Sequence, residues 1–371
     1  MTVLAPTRLF DGETIRSGAA VVVEDGRIGA VLDTAPASAT RIDGLLAPGF
    51  IDIQVNGGGG VLFNDAPTVD ALRTITAAHR AFGVTGLMAT LISDNREKTA
   101  AALDAVSGAI AAGVDGLIGL HLEGPWLSEP RRGVHPAANL RPLDEIDLIM
   151  LTARRGFPLM VTVAPERVSP DDIRTLAGEG VRVCLGHTAA TTEQVEAALA
   201  AGATGFTHLF NAMPAMESRN PGPVGVALAH TEAFTGLILD GIHVHPVSAR
   251  AAFRAKTARR MMLVSDAMAT VGGGADMQLF GETVSLSEGA LRTPSGTLAG
   301  AHLDMSGAVR NALAMMRASE AEALRMATRT PAEFLGIGDR GRIAPGARAD
   351  FVLLDSQFKA QGVWIAGKRQ S

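Results

Sequence analysis

Residues 181–211 read VRVCLGHTAATTEQVEAALAAGATGFTHLFN, and their order decides the fold. The apolar run 181–185 ends in Gly186-His187. Thr191 and Gln194 then take the spacing of a capping box, in which the two side chains satisfy free N–H groups where a helix begins. Gly202 closes that helix, and a second apolar run, 203–207, leads into His208. Strand, capped helix and strand make one βαβ unit with its strands parallel. Each strand delivers a histidine at its C-terminal end.

The alternation extends in both directions. Apolar, β-rich runs occur at residues 50–55, 84–91, 116–122, 158–163, 181–185, 203–207, 234–239 and 261–264, each suited to a parallel strand buried on both faces. Between them, Leu72, Ile75, His79 and Phe82 share a helical face, and Thr330-Pro331-Ala332-Glu333 repeats the opening signature of residues 191–194. Eight βα units over about 290 residues predict an α/β protein with a (β/α)8 TIM-type barrel. An open doubly wound sheet is the alternative.

The two ends of the chain differ from the middle. Asp25-Gly26, set between Val21-Val22-Val23-Glu24 and Arg27-Ile28, marks a tight hairpin. Arg342-Ile343 and residues 350–354 and 363–366 are short strand candidates separated by Pro345-Gly346 and Gly362. Neither end alone has enough strands for a stable sheet. Residues 1–47 and 339–371 are therefore expected to combine into a small β-sandwich domain on a barrel domain of residues 48–338. Residues 277–300, punctuated at Phe280-Gly281, Glu288-Gly289 and Pro294-Ser295-Gly296, read as an insertion near the barrel mouth. The glycine run 57–60 lacks a following Lys-Ser/Thr and does not match the dinucleotide fingerprint, so it reads as a sharp turn at that mouth.

Composition narrows the function. A chain of 371 residues, 47% hydrophobic, suits a packed globular α/β enzyme. A net charge of −5 offers no electrostatic reason for nucleic acid or an anionic membrane as partner, so an anionic ligand must meet a local cluster of donors. The one cysteine, Cys184, excludes an intrachain disulfide framework and, in an apolar run, reads as a buried inert thiol. With no signal-peptide pattern at the start and no apolar stretch long enough to span a bilayer, a cytoplasmic location is expected.

In such barrels the chemistry sits where strands end. Here the strands end in Gln54 and Asn56, in His121-Leu122-Glu123, in His187, in His208-Leu209-Phe210-Asn211, in Asp240-Gly241-Ile242-His243 and in Ser265-Asp266. A catalytic zinc takes about three protein ligands and keeps a position for water; Glu123, His187 and His208 have the right types and are expected to converge from separate strands, with Asp266 across the mouth. His243 and His245 form an alternative His-x-His pair, which Pro246 weakens by ending the strand. His79, His230 and His302 read as structural, and Trp126 as packing.

PGFIDIQVNGGGG, HLEGPW, GHTAAT, THLFNAM, LDGIHV, LVSDAM and GTLAGAHLDM, in that order over nearly the whole chain, resemble the N-acetylglucosamine-6-phosphate deacetylases of the amidohydrolase superfamily. GRIAPGARADFVLLD is similar to the superfamily's closing β segment. The resemblance implies that Glu123, His187 and His208 bind one divalent metal ion per subunit, zinc first and iron, cobalt or manganese as alternatives. It implies Asp266 as catalytic acid/base, and hydrolysis of N-acetyl-D-glucosamine 6-phosphate to D-glucosamine 6-phosphate and acetate in amino sugar catabolism and recycling. It places substrate contacts at Val134, His135, Asn211, Ala212, Arg219, Asp240, Gly241, Ile242, His243, Leu298, Ala299 and Gly300. Arg219 is expected to reach the phosphate in the neighbouring subunit of a homodimer. Arg131 and Arg132 are candidates for further phosphate contact, though a solvated loop accounts for them as well. Where many superfamily members carry His-x-His, this chain has Gln54-Val55-Asn56; neutral amides are poorer ligands than imidazole, which favours a single metal with Gln54 and Asn56 as a secondary site or its shell. The galactosamine epimer, another cyclic amide and a non-catalytic sugar-phosphate-binding barrel are the rival readings.

Overall fold

The computed structural model describes residues 1–370. Eight parallel strands, β1 (Phe50–Val55), β2 (Val84–Ile92), β3 (Leu117–Glu123), β4 (Leu159–Val163), β5 (Arg182–Leu185), β6 (Gly205–Phe206), β7 (Phe234–Ile238) and β8 (Met261–Val264), pair in sequence order. The seam between β8 and β1 is closed by Asp266 N donating to Gln54 O at 3.0 Å and Asn56 N to Ala267 O at 2.8 Å. This is the expected (β/α)8 barrel. Its strands are buried along almost their whole length, which is why they appear as largely apolar runs.

Boundaries moved where the ladder outvoted the apolar pattern. β3 continues through Glu123 because pairing with β4 runs to Glu123↔Thr162. β6 contracts to two residues, although Thr204 N and Thr207 N still bond to β5 carbonyls on either side. The helix Thr192–Ala200 opens as read, with Thr191 and Gln194 bonded reciprocally. The signature at Thr330 does not. The last barrel helix, Arg329–Leu335, starts after Thr328; the Thr330 hydroxyl donates to Ala258 O, and Glu333 is held by Arg325 and Arg329. Two guanidiniums outcompete a backbone N–H for that carboxylate.

Both ends of the chain join one eight-stranded sheet, in which Thr40–Pro48 pairs antiparallel with Phe351–Leu354. Leu9, Val21, Ile28, Leu46, Phe351 and Trp364 are buried in its own core. Asp25 and Gly26, at φ 47° and 77°, make the hairpin turn between Ala20–Glu24 and Arg27–Leu32. Arg342-Ile343 is not a strand. Ile343 N donates to Asp11 O and its side chain fills the small core, so its apolar character reflects packing. The segment after β8 is a four-stranded antiparallel sheet, Asp276–Leu279, Glu282–Ser287, Ala290–Arg292 and Leu298–Ala301. None of the described helices is long and apolar enough to cross a membrane.

Trp126 is fully buried and packs rather than stacks on a ligand. Its Nε1 donates at 3.0 Å to Asp147, whose side chain is 0% exposed and bridges Arg96 and Arg141 at 3.1 and 2.8 Å. Removing this carboxylate leaves the buried indole N–H without a partner and takes one bond from each guanidinium, although Arg96 keeps Asp144 and Arg141 keeps Asp94 O. Asp147→Ala is expected to lower unfolding free energy by about 3 kcal/mol, the low end for a broken buried pair, because both arginines keep partial solvent access. Urea titration checks this, and a loss under about 1 kcal/mol would make the network a surface-like one.

Candidate active site

Most of the polar residues at the strand ends, among them Asn56, Glu123, His187, His208, His243 and Asp266, meet in one cleft of about 340 Å³ at the C-terminal mouth of the barrel. His187, His208 and Asp266 each follow a strand in left-handed backbone, at φ 47°, 27° and 50°. Non-glycine residues adopt this conformation rarely and chiefly where surroundings enforce it. Here it turns each side chain off its strand and over the mouth.

Glu123 Oε1 lies 3.1 Å from His187 Nε2 and 2.9 Å from His208 Nε2, and the two Nε2 atoms are 3.0 Å apart. His187 Nδ1 donates to Arg131 O at 2.8 Å, which leaves the Nε2 lone pair facing the group. His208 Nδ1 is buried without a partner. Three atoms carrying lone pairs converge at a spacing that is repulsive unless a proton or cation lies among them, so the donor set fits a divalent ion. Glu123, His135 and His187 also offer ligand atoms within 4.8 Å of one another. That set is looser, and His135 Nδ1 already accepts from Ser93 N at 3.2 Å.

The charges respond to this packing. Burial works to raise the Glu123 carboxyl, but its close pairing with the His187 and His208 rings outweighs this and holds the group well below the usual carboxylate range. His208 is raised by the same pairing in spite of its burial. Asp266 moves the other way, pushed up to about 6 by burial and then by the nearby charge of Glu123. Burial and the charge of His187 push His135 well below the ordinary imidazole range.

Gln54 and Asn56 face these carboxylates as donors. Gln54 Nε2 bonds to Glu123 Oε1 at 3.2 Å and Asp266 Oδ1 at 3.2 Å, and Asn56 Nδ2 to Asp266 Oδ1 at 2.7 Å. An amide nitrogen has no lone pair to offer a metal, so in this arrangement both orient carboxylates. His243 also lines the cleft, with Nδ1 bonded at 2.6 Å to Asp240, whose other oxygen accepts from Ile242 N and His243 N.

A family profile described as "Amidohydrolase family" matches residues 45–369. The chain belongs to the amidohydrolase family. It is 45% identical over 94% of its length to an N-acetylgalactosamine-6-phosphate deacetylase from Shewanella sp. (strain ANA-3), covering 91% of that protein. It is 38% identical over 87% of its length to the N-acetylglucosamine-6-phosphate deacetylase of Vibrio furnissii, covering 82% of it. Among solved structures, a mutant N-acetyl-D-glucosamine-6-phosphate deacetylase from Mycobacterium smegmatis in complex with N-acetyl-D-glucosamine-6-phosphate superposes with a TM-score of 0.93 at 34% identity, covering 99% of this chain and 98% of that one.

Of the residues singled out from the sequence, this amidohydrolase brings Asn56, Glu123, Val134, His135, His187, His208, Asn211, Ala212, His243, Asp266, Leu298 and Gly300 to the cleft wall. Several others stand off it. Asp240 sits behind His243, Gly241 and Ile242 form the intervening turn, and Ala299 is buried in the core of the inserted sheet. Arg219 is exposed on the loop after β6, outside the cleft. Arg131 reaches the wall, whereas Arg132 is exposed and bonded to His135 O. The His243-x-His245 pair is not a unit: His245 caps the helix Pro246–Arg260 through Val247 N.

Pattern reading passed over Ile92, Pro130, Gly133, Ile238, Met268 and Thr297, which complete the wall. Ile92 and Ile238 resemble core residues in composition; their place as the last residues of β2 and β7 was the available signal. His79, His230 and His302 are structural, bonded to Gly57 O, Ala233 N and Thr270 respectively. Burial pushes the Cys184 thiol up to about 12, which makes it inert. Residues 57–60 form a hairpin bonded to Ala267, Ala269 and Val271 at the mouth.

Proposed function

We propose that the protein hydrolyses the acetamide of N-acetyl-D-glucosamine 6-phosphate to D-glucosamine 6-phosphate and acetate. The observation that carries this reading is the convergence of Glu123, His187 and His208 within 3.1 Å, with a separate carboxylate, Asp266, on the same cleft. Glu123, His187 and His208 would hold one divalent ion, with zinc the first choice for two imidazoles and a carboxylate and iron, cobalt or manganese its competitors. When bound, that ion supplies Lewis acidity to water and to the amide carbonyl.

The remaining work falls to side chains. Asp266, oriented by Asn56 and Gln54, takes the proton from the attacking water and returns it to the departing amine nitrogen, which leaves poorly unless protonated. His243, steadied by Asp240, is placed to hydrogen-bond the substrate carbonyl or a sugar hydroxyl. Val134, His135, Asn211, Ala212, Leu298 and Gly300 shape the pocket around the sugar. Residues 48–338 are the catalytic domain in this reading, and the cytoplasm, where sugar phosphates are retained, is its setting.

The phosphate contact comes from a second subunit. Arg219 lies on an exposed loop rather than in its own cleft, and we assign it to the partner's site in a homodimer. Arg219→Ala is expected to raise KM for the phosphorylated sugar by about 10- to 100-fold, as loss of a charge-assisted contact does, and to leave an unphosphorylated analogue unaffected. Equal effects on both substrates would remove the assignment.

Acetate release from N-acetylglucosamine 6-phosphate, with chelator and with Zn²⁺ re-addition, tests the activity. The 45% identical relative named for the galactosamine epimer supports a second reading, so both epimers belong in the assay. Higher kcat/KM for the galactosamine compound would transfer the assignment to it. No turnover of either by metal-replete protein would overturn both readings.

A further inference from the structure

A chain of buried hydrogen bonds crosses the barrel one layer beneath the cleft. Val55 N on β1 donates to Thr90 Oγ1 on β2 at 2.9 Å, and Thr90 Oγ1 lies 3.3 Å from His121 Nδ1 on β3. His121 Nε2 lies 2.7 Å from Thr162 Oγ1 on β4, which in turn lies 2.7 Å from Thr207 Oγ1 just beyond β6. The four side chains in this chain are at most 2% exposed. The strand it passes over, β5, is followed by Gly186, where an added Cβ would fall 2.9 Å from both Thr162 Cγ2 and Thr207 Cβ.

This layer ends at the residues that precede the strained ones. Gly186 leads into His187, at φ 47°, and Thr207 into His208, at φ 27°; His121 shares a strand face with Glu123, two residues on. Left-handed backbone at two histidines persists only where the surroundings over-determine it. We infer that the Thr162-centred hydrogen-bond chain is a positioning device: it locks the backbone entering His187 and His208 so that their Nε2 atoms meet Glu123. The hydroxyl of Thr162 is its central link, since it alone joins His121 to Thr207, and a methyl group cannot replace it.

The inference rests on reading Glu123, His187 and His208 as the metal ligands, and the test separates the two. Co²⁺ is titrated into metal-free wild type, Thr162→Val and Thr162→Ser, reading affinity by chelator competition, the visible absorption of the bound ion, and the thermal midpoint of each metal-free protein. Thr162→Val is expected to bind Co²⁺ about 10- to 100-fold more weakly, the usual loss for a group that orients ligands, with an altered spectrum. Thr162→Ser keeps the hydroxyl and should restore both.

Gly186→Ala supplies a second route if Thr162→Val fails to fold, because it wedges the two threonines apart without removing a hydrogen-bonding group. A variant with a lowered midpoint but wild-type Co²⁺ affinity and spectrum would reduce the chain to packing and overturn the inference. A wild type that binds no Co²⁺ would overturn the ligand reading and this inference with it.

Discussion

Asp266→Asn is expected to retain its metal and lose about 10³-fold in kcat, within the range of a positioned general acid–base. The amide is nearly isosteric, and its oxygen can still accept from Asn56 Nδ2, now 2.7 Å from Oδ1, so the cleft should keep its shape. What disappears is a group able to take a proton from water and return it. The pH profile gives a second readout. Burial, then the charge of Glu123, pushes the Asp266 carboxyl up to about 6, and only the ionised form accepts a proton. The wild-type rate should therefore fall as pH drops through about 6, or lower once a bound cation favours the carboxylate, and the variant should lack that limb.

Stability moves in the opposite sense. A carboxyl raised from 3.8 to about 6 on folding binds its proton more tightly in the native state, so its contribution is greatest below pH 4 and declines as pH rises towards 6. Undiminished kcat in Asp266→Asn would remove Asp266 from the mechanism.

Glu123→Gln is expected to release the metal. Losing even a group that only orients a ligand costs about 10- to 100-fold in affinity, and losing the single anionic donor should exceed that. Pairing with the His187 and His208 rings holds Glu123 well below the carboxylate range against its burial, so Glu123 itself is ionised at neutral pH. The substituted amide would be neutral, with Gln54 Nε2 still 3.2 Å from the position of the Glu123 oxygen. Metal content after dialysis, alongside far-ultraviolet circular dichroism, checks this. A folded variant holding one equivalent of metal would exclude Glu123 from the ligand set and turn attention to His135, the other imidazole beside His187.

Much of this protein is written locally. The barrel strands are largely apolar because each is buried on both faces, and the helix Thr192–Ala200 is announced by Thr191 and Gln194 because a capping box is a contact between near neighbours. Local signals fail where a distant partner competes. Glu333 has the right spacing to cap, yet Arg325 and Arg329 take it. Ile343 looks like a strand residue and packs as a plug.

The site divides along the same line. The sequence by itself determined the eight strand segments and the placing of Glu123, His187, His208 and Asp266 at strand ends, because period and punctuation depend on residues a few positions apart. Only the tertiary structure decided which of the buried histidines meet. It brought His187 and His208 to one oxygen of Glu123, set His121 a layer below among threonines, and turned Gln54 and Asn56 into donors for carboxylates. Those outcomes depend on barrel closure and strand register, which set distances between side chains far apart in the chain, and no local pattern contains that information.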